Sequence, residues 1–327
     1  KQAIEFINII QSSIPTIQAM LLSKTQGDVT QSLRFIANAV KFNTCSNLSN
    51  KCLRASFSLI FHPDETIRNE CMSTFMGVYL PNDTQDGSSM SPMEIATNLV
   101  TICNQCDKNM SEMTSLEKIV SDLYIKNELD DNVIKCMWEL TTITTTATPT
   151  QLTIAGYAYT VLSMIAKQSP GILTPTRISH LITTGLGSTS MILMRGALLC
   201  LQTAPAYINT PPNAIQTAST TGKAKSNPLA DYESPTELQA HYTSAFATLQ
   251  DIIIGAIFDE MTDSSSMEVA TWSWFSLCEL AVHVLFHIHP QPDIAVGKMI
   301  SHMYEGVVNT TNSTLNTNTN GSVTCIL

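Results

Sequence analysis

The sequence is poor in charged residues. Asp, Glu, Lys and Arg make up 13% of its 327 residues, whereas 44% are hydrophobic. So few charges and so many apolar residues exclude a chain that is disordered throughout. No uninterrupted apolar run reaches the roughly 18 residues that suggest a membrane-spanning helix. The composition therefore predicts a folded protein with a large core and no membrane span.

The start of the sequence has neither a methionine nor the pattern of a secretory signal. Residues 1–4 are not a basic region followed by an apolar block, and they begin within a helical pattern. We therefore expect no signal peptide in this sequence, and we expect the chain to be a segment of a longer protein.

Several motifs of common enzymes are also missing. Gly185-Leu186-Gly187 lacks the Lys-Ser/Thr of a phosphate-binding loop and follows no strand-like segment. The sequence contains no Gly-x-Ser-x-Gly, the turn that exposes the nucleophile of many hydrolases. Strand-like alternation of apolar and polar residues is nearly absent. We expect a protein that is not an enzyme and that uses no cofactor.

Positive charge is scarce and unevenly distributed. The net charge is −10, and an acidic chain binds nucleic acid poorly by itself because phosphate contacts dominate that affinity. The first 70 residues differ, since they hold seven basic and five acidic residues. Their basic residues predict a strip for DNA or a partner, with a solvated helical face as the alternative. These residues are Lys24, Arg34, Lys41, Lys51, Arg54 and Arg68.

The nine cysteines are irregularly spaced, and most lie in apolar helical segments. This pattern favours reduced, buried thiols in a cytosolic or nuclear protein. Cys103 and Cys106 form a lone C-x-x-C, whereas a structural zinc site needs about four ligands. His283 and His287 lie one helical turn apart, but no glutamate follows His283 as in H-E-x-x-H. We expect no metal site; a metal-dependent enzyme that uses these four residues is the alternative.

Apolar residues recur at spacings of three and four along most of the chain, as at Leu33, Ile36, Ala37 and Val40. One-sided stripes of this kind predict amphipathic helices. Pairs of helices recur at about 35–40 residues, the period of HEAT and armadillo repeats. The sequence thus predicts an all-α fold, a HEAT-repeat α-solenoid of stacked antiparallel helix pairs. The predicted helices are 1–24, 28–43, 49–61, 64–80, 92–107, 113–127, 130–141, 150–168, 175–186, 188–204, 236–261, 266–289 and 291–308.

Residues 59–80 predict the joint inside one helical hairpin. One helical pattern ends, a Pro-Asp turn follows, and a second pattern begins with an Ile-Arg pair. Arg195 repeats the apolar-arginine pair after another short polar turn. We expect such an arginine to lie at the boundary between repeats, with its stem packed and its guanidinium bound to a neighbouring turn. The predicted structural residues are Pro63, Asp64, Ile67, Arg68 and Arg195.

Two segments depart from the helical pattern. Residues 205–235 contain five prolines and predict a long loop inserted between helices. Residues 309–327 begin with a low-complexity Asn/Thr run and predict a disordered linker. The expected organisation is a repeat array over 1–308, interrupted by the inserted loop and followed by the linker.

An ordered series of short motifs runs through most of residues 1–308. They include Leu21-Leu22-Ser23-Lys24 with Gly27-Asp28-Val29, Arg34-Phe35-Ile36, Phe61–Arg68 with Tyr79-Leu80, Thr97-Asn98-Leu99-Val100, Thr114–Ile119, Met137-Trp138-Glu139-Leu140, Gly185-Leu186-Gly187, Glu279-Leu280-Ala281 and His289-Pro290. In this order they resemble the central HEAT region of the condensin complex subunit 1 family, the non-SMC regulatory subunit of condensin. No single motif is specific, whereas their order over this length is.

The resemblance implies a non-catalytic scaffold within a hetero-oligomer. Members of that family bind the kleisin subunit and an SMC ATPase head, and they assist DNA engagement in mitotic chromosome condensation. It also implies binding to DNA through the complex, no membrane association, and localisation to the nucleus and chromosomes and in part to the cytoplasm. The alternatives are the condensin-II paralogue or another HEAT/armadillo adaptor, such as a transport receptor, coat or phosphatase scaffold.

Overall fold

The helical prediction is confirmed by a computed structural model of the chain. It describes residues 2–42, 46–81, 90–143, 147–204, 235–254, 267–289, 291–301 and 304. In these ranges all regular secondary structure is helical. The chain forms two compact units, of which the first comprises Lys1–Thr174 with Ile192–Thr203 and the second Pro175–Met191 with Ala204–Leu327.

The α-helices of the described ranges follow the predicted order. They are α1 (Gln2–Met20), α2 (Gln26–Lys41), α3 (Ser46–Ser56), α4 (Glu65–Tyr79), α5 (Pro92–Cys106), α6 (Met110–Ile125), α7 (Asp131–Leu140), α8 (Pro149–Ala166), α9 (Pro175–His180), α10 (Met191–Leu201), α11 (Pro235–Ile254), α12 (Met267–Ile288) and α13 (292–301). Short 3-10 helices at Phe57–Phe61 and Pro170–Ile172 and a π-helix at Leu181–Leu186 complete the set.

The helices of the first unit pack as overlapping pairs. α2 lies against α1, α3 and α4, and α5 lies against α7 and α8. α6 packs on α8 and on the 3-10 helix that continues α3. On α2 the side chains of Val29, Leu33 and Ile36 are buried, whereas Arg34 is exposed. Stacking thus buries apolar stripes that no helix pair could bury alone.

The second unit contains α9, the π-helix, α11, α12 and α13. α11 packs against α12 and against both α9 and the π-helix. Its buried residues include Leu249 and Ile252, and Trp274 of α12 donates a hydrogen bond of 2.9 Å to the carbonyl of Ile252. This unit therefore has its own helical core.

Some predicted boundaries differ from the observed ones. The helix predicted over 49–61 is α-helical only as far as Ser56 and then tightens into the 3-10 helix, close to the proline at position 63. The helix predicted over 175–186 is α-helical to His180 and π-helical beyond it. A periodic pattern of apolar residues is compatible with all three helix types, so it did not distinguish them.

The predicted loop and linker fall largely outside the described residues. Residues 205–234 and 309–327 are not among those that the structure describes, and Pro235 is the first residue of α11. The same holds for the ends of the helices predicted to reach 261 and 308. These assignments stay predictions.

Two glycines allow α8 and α10 to cross closely in the first unit. A Cβ atom on Gly196 would press against the carbonyl oxygen of Gly156 and would lie 2.8 Å from Cβ of Tyr159. A Cβ atom on Gly156 would lie 2.6 Å from Cγ2 of Ile192. Beside this crossing, the Cys200 thiol donates to the Tyr159 carbonyl at 3.0 Å. Glycine is required here because backbone atoms occupy the space of a side chain.

We predict that Gly196→Ala lowers the free energy of unfolding by about 1–3 kcal/mol, as over-packing does elsewhere. The matched control is Gly77→Ala, because a Cβ atom at Gly77 would meet nothing within 4 Å. That control is expected to raise stability by up to about 1 kcal/mol through helix propensity. Urea denaturation checks both values, and equal stabilities for the two variants would contradict the close crossing.

Candidate partner-binding surface

Two arginines of the predicted basic strip form ion pairs between helices of the first unit. Arg34 on α2 donates two hydrogen bonds of 2.8 Å to the carboxylate of Glu70 on α4. Arg54 on α3 donates to Glu112 at 3.2 Å and to the side-chain carbonyl of Gln105 at 3.0 Å. Glu70 raises the pKa of Arg34 further through these contacts. Both guanidinium groups therefore connect neighbouring helices, which limits their availability to an outside partner.

Arg68 stabilises the predicted hairpin joint. Its guanidinium donates to the carbonyl oxygens of His62 and Pro63, each at 2.7 Å. Asp64 is the N-cap of α4 and accepts a hydrogen bond of 2.8 Å from the backbone N–H of Thr66. The side-chain cap and the two arginine contacts satisfy backbone groups that the helix end leaves without partners. This geometry agrees with a structural role for the joint.

Arg195 occupies an equivalent position at a later boundary of the first unit. Its guanidinium donates to one carboxylate oxygen of Asp107 at 2.6 Å, and the Tyr157 hydroxyl donates to the other at 3.0 Å. Asp107 follows α5, Tyr157 lies on α8 and Arg195 on α10. One carboxylate therefore connects three helices, and this contact spans 88 positions of sequence.

The three lysines of the predicted strip are exposed but not adjacent along α2. Lys24 precedes this helix and Lys41 ends it. Because an α-helix rises about 1.5 Å per residue, the two ends of this 16-residue helix lie about 24 Å apart. Lys51 lies on α3. The structure therefore distributes these charges, and their role in binding DNA stays a prediction.

The residues of the alternative metal site belong to different units, Cys103 and Cys106 to the first and the two histidines to the second. Cys103 and Cys106 are buried, and burial raises the pKa of both thiols, that of Cys106 to about 12. In the second unit, His283 is exposed and His287 hydrogen-bonds the carbonyl of Ala204. Among the described residues there is no group of three or more His, Cys, Asp or Glu side chains that could hold a metal ion.

A groove of about 350 Å³ lies beside α4 in the first unit. On one face of α4 Asn69, Ser73 and Gly77 are exposed. The opposite wall is the turn between α6 and α7. The residues that line the groove are Asn69, Met72, Ser73, Met76, Gly77, Leu80, Pro81, Lys126 and Glu128.

The groove was not predicted from the sequence. One signal was available, because Ser73 and Gly77 are small residues one turn apart on α4. Small residues at that spacing indicate either close helix packing or an open depression. The sequence does not distinguish the two cases, whereas the structure shows the open one.

None of the helices in the described ranges is long and apolar enough to cross a membrane.

Comparison with known proteins gives one partial sequence match. No family model matches the chain. Over 144 residues it is 24% identical to condensin complex subunit 1 of Schizosaccharomyces pombe, a match that covers 42% of this chain and 12% of that protein. The match therefore spans a small part of that relative. The similarity supports a condensin-like HEAT scaffold.

A solved structure was also compared with the chain. Its overlap with the crystal structure of an engineered protein covers 83% of this chain and 97% of the engineered chain, with a TM-score of 0.26 and 11% sequence identity. At this TM-score the overlap supports no conclusion about fold or function.

Because several thiols are buried, we predict that the free energy of unfolding falls at high pH. Burial raises the pKa of Cys71 and of Cys106 from 9.0 to about 12. In the unfolded chain these thiols ionise near pH 9, so above this pH the unfolded state binds fewer protons than the folded state. The free energy of unfolding should therefore be highest below about pH 9 and fall towards about pH 12.

The check is the urea midpoint of Cys71→Ala, measured with reductant from about pH 8 to about pH 11. This variant should be less stable than the parent at low pH and should show a shallower decline. Ser32→Ala is the control, since it alters a buried side chain that does not titrate. An equally steep decline in Cys71→Ala would contradict the assignment.

Proposed function

We propose that this chain is a non-catalytic scaffold of a condensin-related complex. The observation that supports the proposal most strongly is the 144-residue match to condensin complex subunit 1. The helical-repeat fold agrees with it, because stacked helix pairs offer long surfaces to extended polypeptides.

The proposed partners are a kleisin subunit, an SMC ATPase head and, through the complex, DNA. In this account the SMC head hydrolyses ATP, and the present chain supplies contact surface rather than reacting groups. The proposed location is the nucleus, on chromosomes, with a cytoplasmic fraction, and the proposed process is mitotic chromosome condensation.

Co-expression tests the proposal directly. We expect the 327-residue chain to co-elute with a kleisin fragment as a complex of defined stoichiometry in size-exclusion chromatography with light scattering. A folded, soluble chain that associates with neither the kleisin fragment nor the SMC head would reject the proposal. Circular dichroism of the same sample establishes that the chain is folded.

The basic strip is best tested through its lysines, because the arginines stabilise the fold. We predict that Lys24→Glu, Lys41→Glu and Lys51→Glu together weaken DNA binding by the assembled complex. Each lost phosphate contact should reduce the slope of log affinity against log salt by about 0.9. Fluorescence anisotropy at several salt concentrations measures this slope.

The charge-matched control is the triple variant Lys108→Glu, Lys135→Glu and Lys298→Glu, which changes three other exposed lysines. It alters the net charge by the same amount, so it separates a local contact from general repulsion. If both triple variants lose the same affinity, the strip has no specific role.

A further inference from the structure

The floor of the groove beside α4 is apolar and has free space. Met72 and Leu80 are 5% and 4% exposed, and Met76 and Pro81 are partly exposed beside them. A Cβ atom on Gly77 would meet nothing within 4 Å, so the depression above this glycine is open. Methionine side chains are flexible and polarizable and can adapt to apolar groups of different shape. The floor therefore suits an apolar side chain.

The size of the groove favours a short segment over a folded domain. Its volume of about 350 Å³ is at the small end of ligand pockets. Asn69 and Ser73 lie one turn apart on the α4 side, and within the described residues neither side chain has a hydrogen-bond partner. Their amide and hydroxyl groups can hydrogen-bond the N–H and C=O groups of an extended polypeptide segment.

The opposite wall is held in one conformation by its backbone. Asn127 has a left-handed φ of 56°, and the N–H of Glu128 donates to the carbonyl of Leu123 at 3.0 Å. The N–H of Asn127 donates to the carbonyl of Tyr124 at 3.1 Å. This is the bonding pattern of a Schellman motif, which ends a helix in a defined geometry. The rim is therefore preorganised, which lowers the entropic cost of binding.

Charge at this rim is predominantly negative. Glu128 lines the groove, and the exposed carboxylates of Asp130 and Asp131 follow within three residues. Hydrogen bonds from Asn132 lower the pKa of Asp130, so its carboxylate is ionised at neutral pH. Lys126 is the one cation among the lining residues that the structure describes. Within residues 126–135 three carboxylates accompany two ammonium groups, those of Lys126 and Lys135, so this rim carries a net negative charge that favours a positively charged occupant.

We infer that this groove binds an extended, basic segment of a partner protein by one apolar side chain. The anchor enters the depression above Gly77, and the flanking lysines or arginines face the carboxylates of 128–131. This inference deepens the proposed function, on which it rests for the identity of the partner, because a scaffold subunit needs such a contact.

A peptide array tests binding at the groove without assuming which protein is the partner. The probes are nine-residue fluorescent peptides with a central Leu, Met, Phe, Ala or Asp, flanked by Lys/Arg, by Ser or by Glu. We expect Leu-, Met- or Phe-centred basic peptides to bind the 327-residue chain at least about tenfold more tightly than Ala-centred or Glu-flanked ones. Fluorescence anisotropy of the best probe then gives its affinity.

Gly77→Leu is the decisive variant, because its Cβ atom meets nothing within 4 Å and its side chain occupies the space that the anchor would take. It should weaken the best basic peptide at least about tenfold. Gly27→Leu places the same side chain at another open helical glycine and should bind as the parent does. The double variant Glu128→Lys with Asp131→Lys should weaken the binding of basic peptides and strengthen the binding of Glu-flanked ones. Circular dichroism and the urea midpoint show whether each variant is folded.

The inference would be overturned if no peptide binds or if Glu-flanked peptides bind best. It would also be overturned if Gly77→Leu binds the basic peptides as the parent does, or if Gly77→Leu dissociates a homodimer that the parent forms. The last result would identify a second copy as the occupant. Peptide binding without kleisin co-elution would reject the proposed function alone. If Gly77→Leu leaves kleisin co-elution unchanged and no peptide binds, the inference about the groove alone is rejected.

Discussion

Burial of one apolar stripe per helix is the constraint on which the first unit depends. Leu33 and Ile36 on α2, like Leu116 and Ile119 on α6, are almost completely buried by neighbouring helices. A helix pair cannot cover such stripes by itself, so each pair requires the next one. The close crossing of α8 and α10 is one consequence of this requirement, because glycine removes the side chains that would separate the two backbones.

The same constraint determines where the charges lie. Few charged residues are available, and several of them join helices that are distant in sequence. Arg34 and Glu70 are 36 positions apart, and Arg195 and Asp107 are 88 apart. These arginines bind carboxylates of neighbouring helices. An arginine of this kind is therefore poor evidence for DNA binding, because its guanidinium is already bound to a structural partner.

The sequence predicted much of the fold because the relevant signals are local. The apolar period located the helices, and the Pro63-Asp64 turn located the start of α4. Ion-pair partners were not predictable, since pairing across 36 or more positions depends on how repeats stack. The groove was missed for the same reason. It lies between α4 and the turn that follows α6, and no local pattern around Gly77 reports the position of that turn, which is distant in sequence.

The central claim is that the chain acts as a scaffold whose partner occupies the groove beside α4. Hydrogen–deuterium exchange of the full chain, alone and with a bound kleisin fragment, tests that claim most directly. The account predicts slower exchange in peptides that cover α4 and residues 126–131, and little change in α11 and α12. Unchanged exchange at α4 in a complex that remains intact, with protection elsewhere, would contradict it.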